Sequence, residues 1–95
     1  MKQYMPMVNY IIANANGRKN AVIGRELGNR FGIPGVKVRA YVNEARCDGI
    51  PICSCGNGYY YSPRKVDLED TIRHLKGRIA KVENAIDGLN SAVTI

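Results

Sequence analysis

Two adjoining stretches of the chain decide its fold: GRELGNRFGIPGVKVRAYVNEARCDG at residues 24–49 and IPICSCGNGYYYS at residues 50–62. In the first, apolar residues recur at helical spacing on both sides of GIPG (residues 32–35), a sequence that ends one helix and redirects the chain. In the second, strand-like alternation leads into Gly56-Asn57-Gly58, a strong hairpin signal, and then into three tyrosines. The two stretches therefore predict a pair of helices joined by a short turn and followed directly by a β-hairpin over residues 50–62.

The helix pair has the features of a helix-turn-helix. A second helix is predicted from Asn20, which is a good N-cap, to about Arg30, and a third helix from about Val36 to Cys47. Gly28 supplies a small residue where the two helices touch, and Gly32 supplies the positive φ that the turn needs. An αα-hairpin without a nucleic-acid role is the alternative interpretation.

One helix is predicted before this pair. Met5, Val8, Ile11 and Ile12 recur at helical spacing, and Asn16-Gly17 ends the run as a C-cap would. A first helix is therefore expected over residues 5–15.

Residues 20–61 resemble the winged helix-turn-helix domain of the biotin operon repressor type. The resemblance rests on GRELGNRFGIPGVKVRAYVNEARCDG and on IPICSCGNGYYYS as the wing. It implies a mainly α fold with a small β-hairpin and binding to double-stranded DNA, with the third helix in the major groove. Two departures from the family pattern are Ala45, where a larger aliphatic residue is usual, and the cysteine-rich wing. Biotin binding and ligase activity do not carry over, because a chain of this length has no room for that catalytic domain.

The resemblance also implies which side chains contact DNA. On the third helix, Arg39 is expected to bind guanine or phosphate, Lys37 phosphate and Asn43 adenine, while Val36 and Ala40 suit thymine methyl groups. Basic residues flanking the helix pair are candidate backbone clamps, and the wing contributes its tip and the one tyrosine that alternation turns outward. The predicted DNA-contacting set is Arg18, Lys19, Val36, Lys37, Arg39, Ala40, Asn43, Arg46, Asn57, Gly58 and Tyr60.

The charge of the chain is unevenly distributed. The net charge is +6, and residues 1–47 alone carry eight basic and two acidic side chains. Residues 66–95 carry four basic and five acidic side chains, so their net charge is −1. This asymmetry indicates a polyanionic partner for the first part of the chain and a different role for the last part.

The last part is predicted to be a long helix that begins near Asp67. Its apolar residues follow alternating spacings of four and three, which is a heptad repeat typical of a parallel two-stranded coiled coil. The predicted dimerisation seam is Leu68, Ile72, Leu75, Ile79, Val82, Ile86, Leu89 and Val93. A helix that folds back on its own domain is the alternative.

Several classes of function find no support in the residues. No nucleophile–base arrangement, P-loop or dinucleotide-binding motif is visible, so the chain is not expected to be an enzyme. Cys47, Cys53 and Cys55 lack the paired spacing of a zinc site, and no metal or cofactor is expected. No secretory signal or membrane-spanning stretch is apparent, so the protein is expected to be cytoplasmic and reduced, with no membrane partner.

Together these patterns predict a DNA-binding domain at residues 1–63 and a dimerisation helix at residues 64–95. The predicted function is a small transcriptional regulator that binds duplex DNA as a homodimer. Two alternatives stay open: an accessory factor for replication, excision or partition of a phage or mobile element, and a protein-interaction module that does not bind DNA.

Overall fold

The computed structural model describes residues 2–93; residues 1, 94 and 95, at the outer ends of the two predicted parts, lie outside that range. The described part is mainly helical and contains one antiparallel β-hairpin and a long last helix, which confirms the predicted α+β class. Its elements in chain order are α1 (Met5–Asn14), a 3-10 turn (Arg18–Asn20), α2 (Gly24–Phe31), α3 (Gly35–Cys47), β1 (Ile52–Cys55), β2 (Gly58–Tyr61) and α4 (Lys65–Val93).

A single core lies between the first three helices and the hairpin. The spacing of three and four residues turns one side of each helix inward, and those inward residues are almost wholly buried. They are Met7, Val8 and Ile11 of α1, Leu27 of α2, and Val38, Val42 and Ala45 of α3. Ile52 of β1 belongs to the same core and closes it on the hairpin side.

The turn between α2 and α3 depends on two glycines, as the sequence predicts. A Cβ at Gly28 would lie 2.8 Å from the carbonyl oxygen of Ile33 and 3.8 Å from Val38 Cγ2, so a larger residue would push α3 away from α2. Gly32 ends α2 in the left-handed conformation, with φ 64° and ψ 37°. Both predicted roles are confirmed.

The predicted beginning of α2 is wrong. The helix starts at Gly24, and Asn20 lies in the 3-10 turn, where its side-chain amide donates to the carbonyl of Asn16. Val22 is instead extended, because its N–H and C=O both form 2.8 Å hydrogen bonds with the backbone of Tyr59. This pairing with β2 outweighs the local helix signal and places residue 22 beside β2, opposite to β1.

The hairpin pairs Ile52 with Tyr61, Cys53 with Tyr60 and Ser54 with Tyr59. The prediction that Tyr60 points outward is wrong: its exposed fraction is 0%, whereas Tyr59 and Tyr61 are half-buried. Alternation does separate Tyr60 from its neighbours, but the side that Tyr60 shares with its partner Cys53 is buried, and so is Ile52 on the other side. Both faces of the short hairpin are therefore covered.

The first turns of α4 join it to the rest of the domain. The helix begins at Lys65, two residues earlier than predicted, and Asp67 is buried, where it accepts a 2.7 Å hydrogen bond from Ser62 Oγ. Leu68 packs against the core. From Lys76 to Val93 every residue is exposed, so the alternative in which this helix folds back along the domain is wrong for that segment. Among residues 2–93, no helix is both long and apolar enough to cross a membrane.

Candidate nucleic-acid interface

An open groove of about 880 Å³ runs between α2, α3, the hairpin turn and the first part of α4. Glycines of α2, α3 and the hairpin turn are among its lining residues. Its basic lining residues come from α2, α3 and α4 and are Arg25, Arg39, Arg46, His74 and Arg78; Asn29 and Asn43 line it as well. The arrangement concentrates positive charge in a concave surface, which favours an anionic ligand.

The exposed side of α3 carries five of the predicted DNA contacts. Arg39 and Asn43 line the groove, and Val36, Lys37 and Ala40 lie exposed on the same helix outside its lining. Val36 has an exposed fraction of 64%, although its neighbour Val38 is buried in the core. Within residues 2–93 neither Lys37 nor Arg39 has a carboxylate within 4 Å, so both charges face solvent. Helical spacing thus separates a core side of α3 from a polar side that is open to a partner.

Arg46 is a correction to the predicted set. Its guanidinium is half-buried and donates to the carbonyl of Ile52 and to Ser54 Oγ, at 2.7 and 3.2 Å. Burial lowers the pKa of Arg46, and the like charge of Arg78 lowers it further. A side chain held in this way supports the hairpin from within the domain and is not free to act as a phosphate clamp.

The two residues of the predicted wing tip, Asn57 and Gly58, lie in different environments. Asn57 is exposed at the turn, whereas Gly58 is half-buried at the beginning of β2, with φ 119°. A Cβ at Gly58 would collide with the carbonyl group of Val22, so the missing side chain serves the contact between β2 and residue 22. Gly58 is therefore a packing residue, and the exposed tip consists of Gly56 and Asn57.

Two other predicted clamps lie away from this groove. Neither Arg18 nor Lys19 lines it. Arg18 Nη1 is 3.5 Å from Asp70 on α4, which partly neutralises its charge, and Lys19 is exposed on the 3-10 turn. Tyr60, being buried, is also removed from the set.

Residues of α4 outside the predicted set contribute to the same surface. His74 and Arg78 line the main groove, and a smaller concavity beside it is lined by Arg73, His74, Gly77, Arg78 and Lys81. The sequence did contain an indication of this surface. Basic residues spaced by four and five lie on the part of the helix away from the apolar seam. The net charge of −1 for residues 66–95 concealed it, because the acidic residues of that segment lie before residue 71 and after residue 82.

The cysteines do not form a cluster. Cys53 is wholly buried, Cys55 is half-buried and Cys47 is exposed, and all three are free thiols. Burial raises the pKa of the Cys53 thiol, which disfavours the reactive thiolate. Within the described part of the chain, no three side chains of His, Cys, Asp or Glu are placed to hold a metal ion.

Comparisons with protein-family models, curated proteins and solved structures each find no match to this chain. The geometry of the groove and the exposed side of α3 are therefore the basis for a functional proposal. The apolar stripe along α4 is the other feature that such a proposal has to explain.

Proposed function

We propose that the protein binds double-stranded DNA through a winged helix-turn-helix at residues 1–63 and acts as a small, dimeric transcriptional regulator. The observation that carries the proposal is the polar side of α3, whose Lys37, Arg39 and Asn43 are exposed beside a hairpin turn. A helix with free basic and amide side chains, presented at the surface by a glycine-containing turn, has the size and chemistry to enter a DNA major groove.

The attachment of the hairpin supports this arrangement. Val22 pairs with Tyr59 on one side of β2, and β1 pairs with β2 on the other. Residue 22 leads directly into α2. The hairpin is therefore connected to the helix pair twice, through the chain that follows α3 and through its backbone pairing with Val22. A hairpin held in this way keeps a constant position relative to α3, and its tip can contact the duplex backbone whenever α3 occupies the groove.

Roles on DNA follow from the chemistry of each side chain. Arg39 carries a guanidinium that matches the two acceptors of guanine, and Asn43, one turn along, matches adenine. Val36 and Ala40 provide apolar contact for thymine methyl groups, and Lys37 provides a charge for a phosphate. At the hairpin tip, the backbone of Gly56 and the side chain of Asn57 are exposed to meet a phosphate or the minor groove.

The exposed stripe on α4 supports dimerisation. Six large apolar residues of the stripe are between 49% and 82% exposed: Ile72, Ile79, Val82, Ile86, Leu89 and Val93. Such a continuous apolar surface costs free energy in water and indicates a partner surface. A second copy of the chain supplies the matching heptad, with isoleucine at a and leucine at d favouring two parallel strands. Leu68 is used by the core of the domain and Leu75 is half-buried beside the groove, so the uninterrupted exposed part of the proposed seam begins at Ile79.

Selection of bound sequences from a random duplex pool tests the proposal. We expect recovery of an inverted repeat, because a symmetric dimer presents two equivalent copies of α3. We also expect affinity for the recovered duplex to fall steeply as salt rises, since several phosphates release counterions on binding.

Failure to enrich any sequence, together with binding that does not respond to salt, would contradict the proposal and favour a protein-interaction module. Clustering of the genomic matches at a replication, excision or partition site would favour the accessory-factor alternative over a regulator.

A further inference from the structure

The outer side of α4 carries a basic face, which we define as Arg73, His74, Arg78 and Lys81. The four side chains are exposed and surround Gly77, and together these residues line a shallow concavity. Successive spacings of one, four and three residues place them on one side of a helix. That side is turned away from the centre of the apolar stripe, so pairing of two α4 helices through Ile79 and Ile86 leaves the basic face open.

The charge of this segment is unbalanced locally. Residues 71–82 contain four lysines and arginines and no aspartate or glutamate. Asp70, the nearest acidic residue before them in the chain, is already shared between Arg73 at 3.0 Å and Arg18 at 3.5 Å. Among residues 2–93, neither Arg78 nor Lys81 has a carboxylate within 4 Å. The basic face therefore has uncompensated charge that an external anion would neutralise.

The basic face is continuous with the surface of α3. His74 and Arg78 form one wall of the groove whose opposite wall includes Arg39 and Asn43. Arg46 also lines this groove, and its guanidinium is a further positive group there. An anionic strand that lies along the groove would contact both helices at once.

Gly77 adds an independent argument about shape. It lies in the interior of an exposed helix, where glycine costs about 1 kcal/mol relative to alanine. Among residues 2–93, nothing lies within 4 Å of the position that its Cβ would occupy, so no contact in that part of the chain explains the residue. A glycine there lowers the surface between the basic side chains and lets a bulky group approach the helix backbone.

We propose that the basic face of α4 binds the phosphate backbone of the same duplex whose major groove receives α3. This inference rests on the proposed DNA-binding function and extends the contact surface from α3 and the hairpin tip to the linker end of the dimerisation helix. The bound strand would be one that borders the major groove occupied by α3, because the groove in the protein joins the two surfaces directly. The contact would add affinity without sequence preference.

The test compares two double variants with equal loss of charge. R78Q/K81Q removes two charges from the basic face, and K65Q/K76Q removes two charges from the other sides of the same helix. Each protein is titrated by fluorescence anisotropy against a labelled duplex that carries one selected half-site with flanking base pairs, over a series of salt concentrations. A single half-site is used so that a change in dimerisation does not affect the reading.

For R78Q/K81Q we expect the slope of log affinity against log salt to become less steep by about 2, since each lost phosphate contact changes it by about 0.9. The control variant should keep the wild-type slope. Trimming the flanking base pairs should weaken binding of the wild type and leave R78Q/K81Q unchanged.

Three outcomes would overturn the inference. In the first, R78Q/K81Q keeps the wild-type slope. In the second, both double variants lose slope equally, which would be a general charge effect. In the third, trimming the flanking base pairs weakens binding by the wild type and by R78Q/K81Q alike. In all three the wild type still binds the duplex, and the proposed function stands. Absence of salt-dependent binding by the wild type itself would instead remove the proposed function.

Discussion

Arg46 Nε donates a 2.7 Å hydrogen bond to the carbonyl oxygen of Ile52, which ties the end of α3 to the free edge of β1. The same edge is occupied further along, where the backbone N–H of Ser54 donates to Thr71 Oγ1 of α4 at 3.3 Å. An unpaired strand edge otherwise invites another strand to add to it. Side chains from two helices therefore protect the outer strand of this small sheet and fix its position between α3 and α4.

Replacing Arg46 by alanine should destabilise the domain. The change leaves the half-buried carbonyl of Ile52 and the hydroxyl of Ser54 without this donor, so we expect the free energy of unfolding to fall by about 1–3 kcal/mol. Urea denaturation followed by circular dichroism measures it, with R39A as the exposed control that should change stability by less than about 0.5 kcal/mol. An R46A protein of wild-type stability that has lost DNA affinity would restore the phosphate-clamp interpretation.

Arg39 and Lys37 should differ in what they contribute to DNA binding. For R39A we expect a loss of about 1–3 kcal/mol on the selected sequence and a smaller loss on unrelated duplexes, since a bidentate base contact is sequence-specific. For K37A we expect affinity to fall about equally on all sequences, because a phosphate carries no sequence information. Anisotropy titrations on the two duplexes separate the effects. Unchanged affinity in the K37A/R39A double variant would exclude α3 from the interface.

Ile79 should be essential to dimerisation. It is 59% exposed in the middle of the apolar stripe, and I79K would bring two like charges together in a paired seam. We expect this variant to sediment as a monomer with a normal helix content, and its affinity for an inverted repeat to fall towards that for one half-site. A80K adds the same charge on the outer part of the helix, away from the seam, and should remain a dimer. If I79K sediments as a dimer, the dimer interface lies elsewhere on the chain.

Tyr60 should tolerate loss of its hydroxyl. Its Oη is buried and, within residues 2–93, has no hydrogen-bond partner in the protein, although the ring fills the core beside Cys53. For Y60F we expect the free energy of unfolding to stay constant or to rise by about 1 kcal/mol, since an unsatisfied buried hydroxyl is removed. DNA affinity should not change. Chemical denaturation and anisotropy on the same samples check both statements, and a selective loss of affinity in Y60F would show that the ring reaches DNA after all.

The contact between Tyr4 and Asp48 should make stability depend on pH in acid. Tyr4 Oη donates to Asp48 at 2.6 Å; this bond lowers the pKa of Asp48, helped by the charge of Lys2, and raises the pKa of Tyr4 to about 12. Because the carboxyl pKa is lower in the folded than in the unfolded state, the ionised carboxylate stabilises the fold at pH values above the unfolded pKa of about 3.9. This contribution disappears as the pH falls through the lower pKa of the folded state.

The wild type should therefore be more stable than Y4F at neutral pH, and the difference should shrink below about pH 4. On the alkaline side, the raised Tyr4 pKa contributes below about pH 10, and that contribution is lost as the pH rises through about 12. Urea midpoints of both proteins across the acid range measure the difference. A difference that stays constant down to the lowest pH at which both proteins fold would show that the hydrogen bond does not depend on the charge of Asp48.

The sequence by itself determined the features whose causes are local. Helical spacing, together with Gly28 and Gly32, predicts the α2–α3 turn correctly, because close approach and a positive φ are requirements of single residues. The hairpin turn at Gly56-Asn57 and the heptad spacing of α4 are equally local; the hairpin forms where it is predicted, and α4 begins two residues before its predicted start. The same spacing also identified the polar side of α3, since the alternative side had to be apolar to build a core.

Only the tertiary structure decided the features that depend on which elements meet. Val22 is extended and not helical because β2 bonds to it, and Tyr60 is buried because the rest of the domain packs against both faces of the hairpin. Contacts between distant segments also explain why Arg46 donates to the backbone of β1. They explain as well why His74 and Arg78 of α4 line the same groove as residues of α3. A chain's periodicity states which side of an element is apolar or charged, but contacts between distant segments determine whether that side faces the core, a neighbouring helix or solvent.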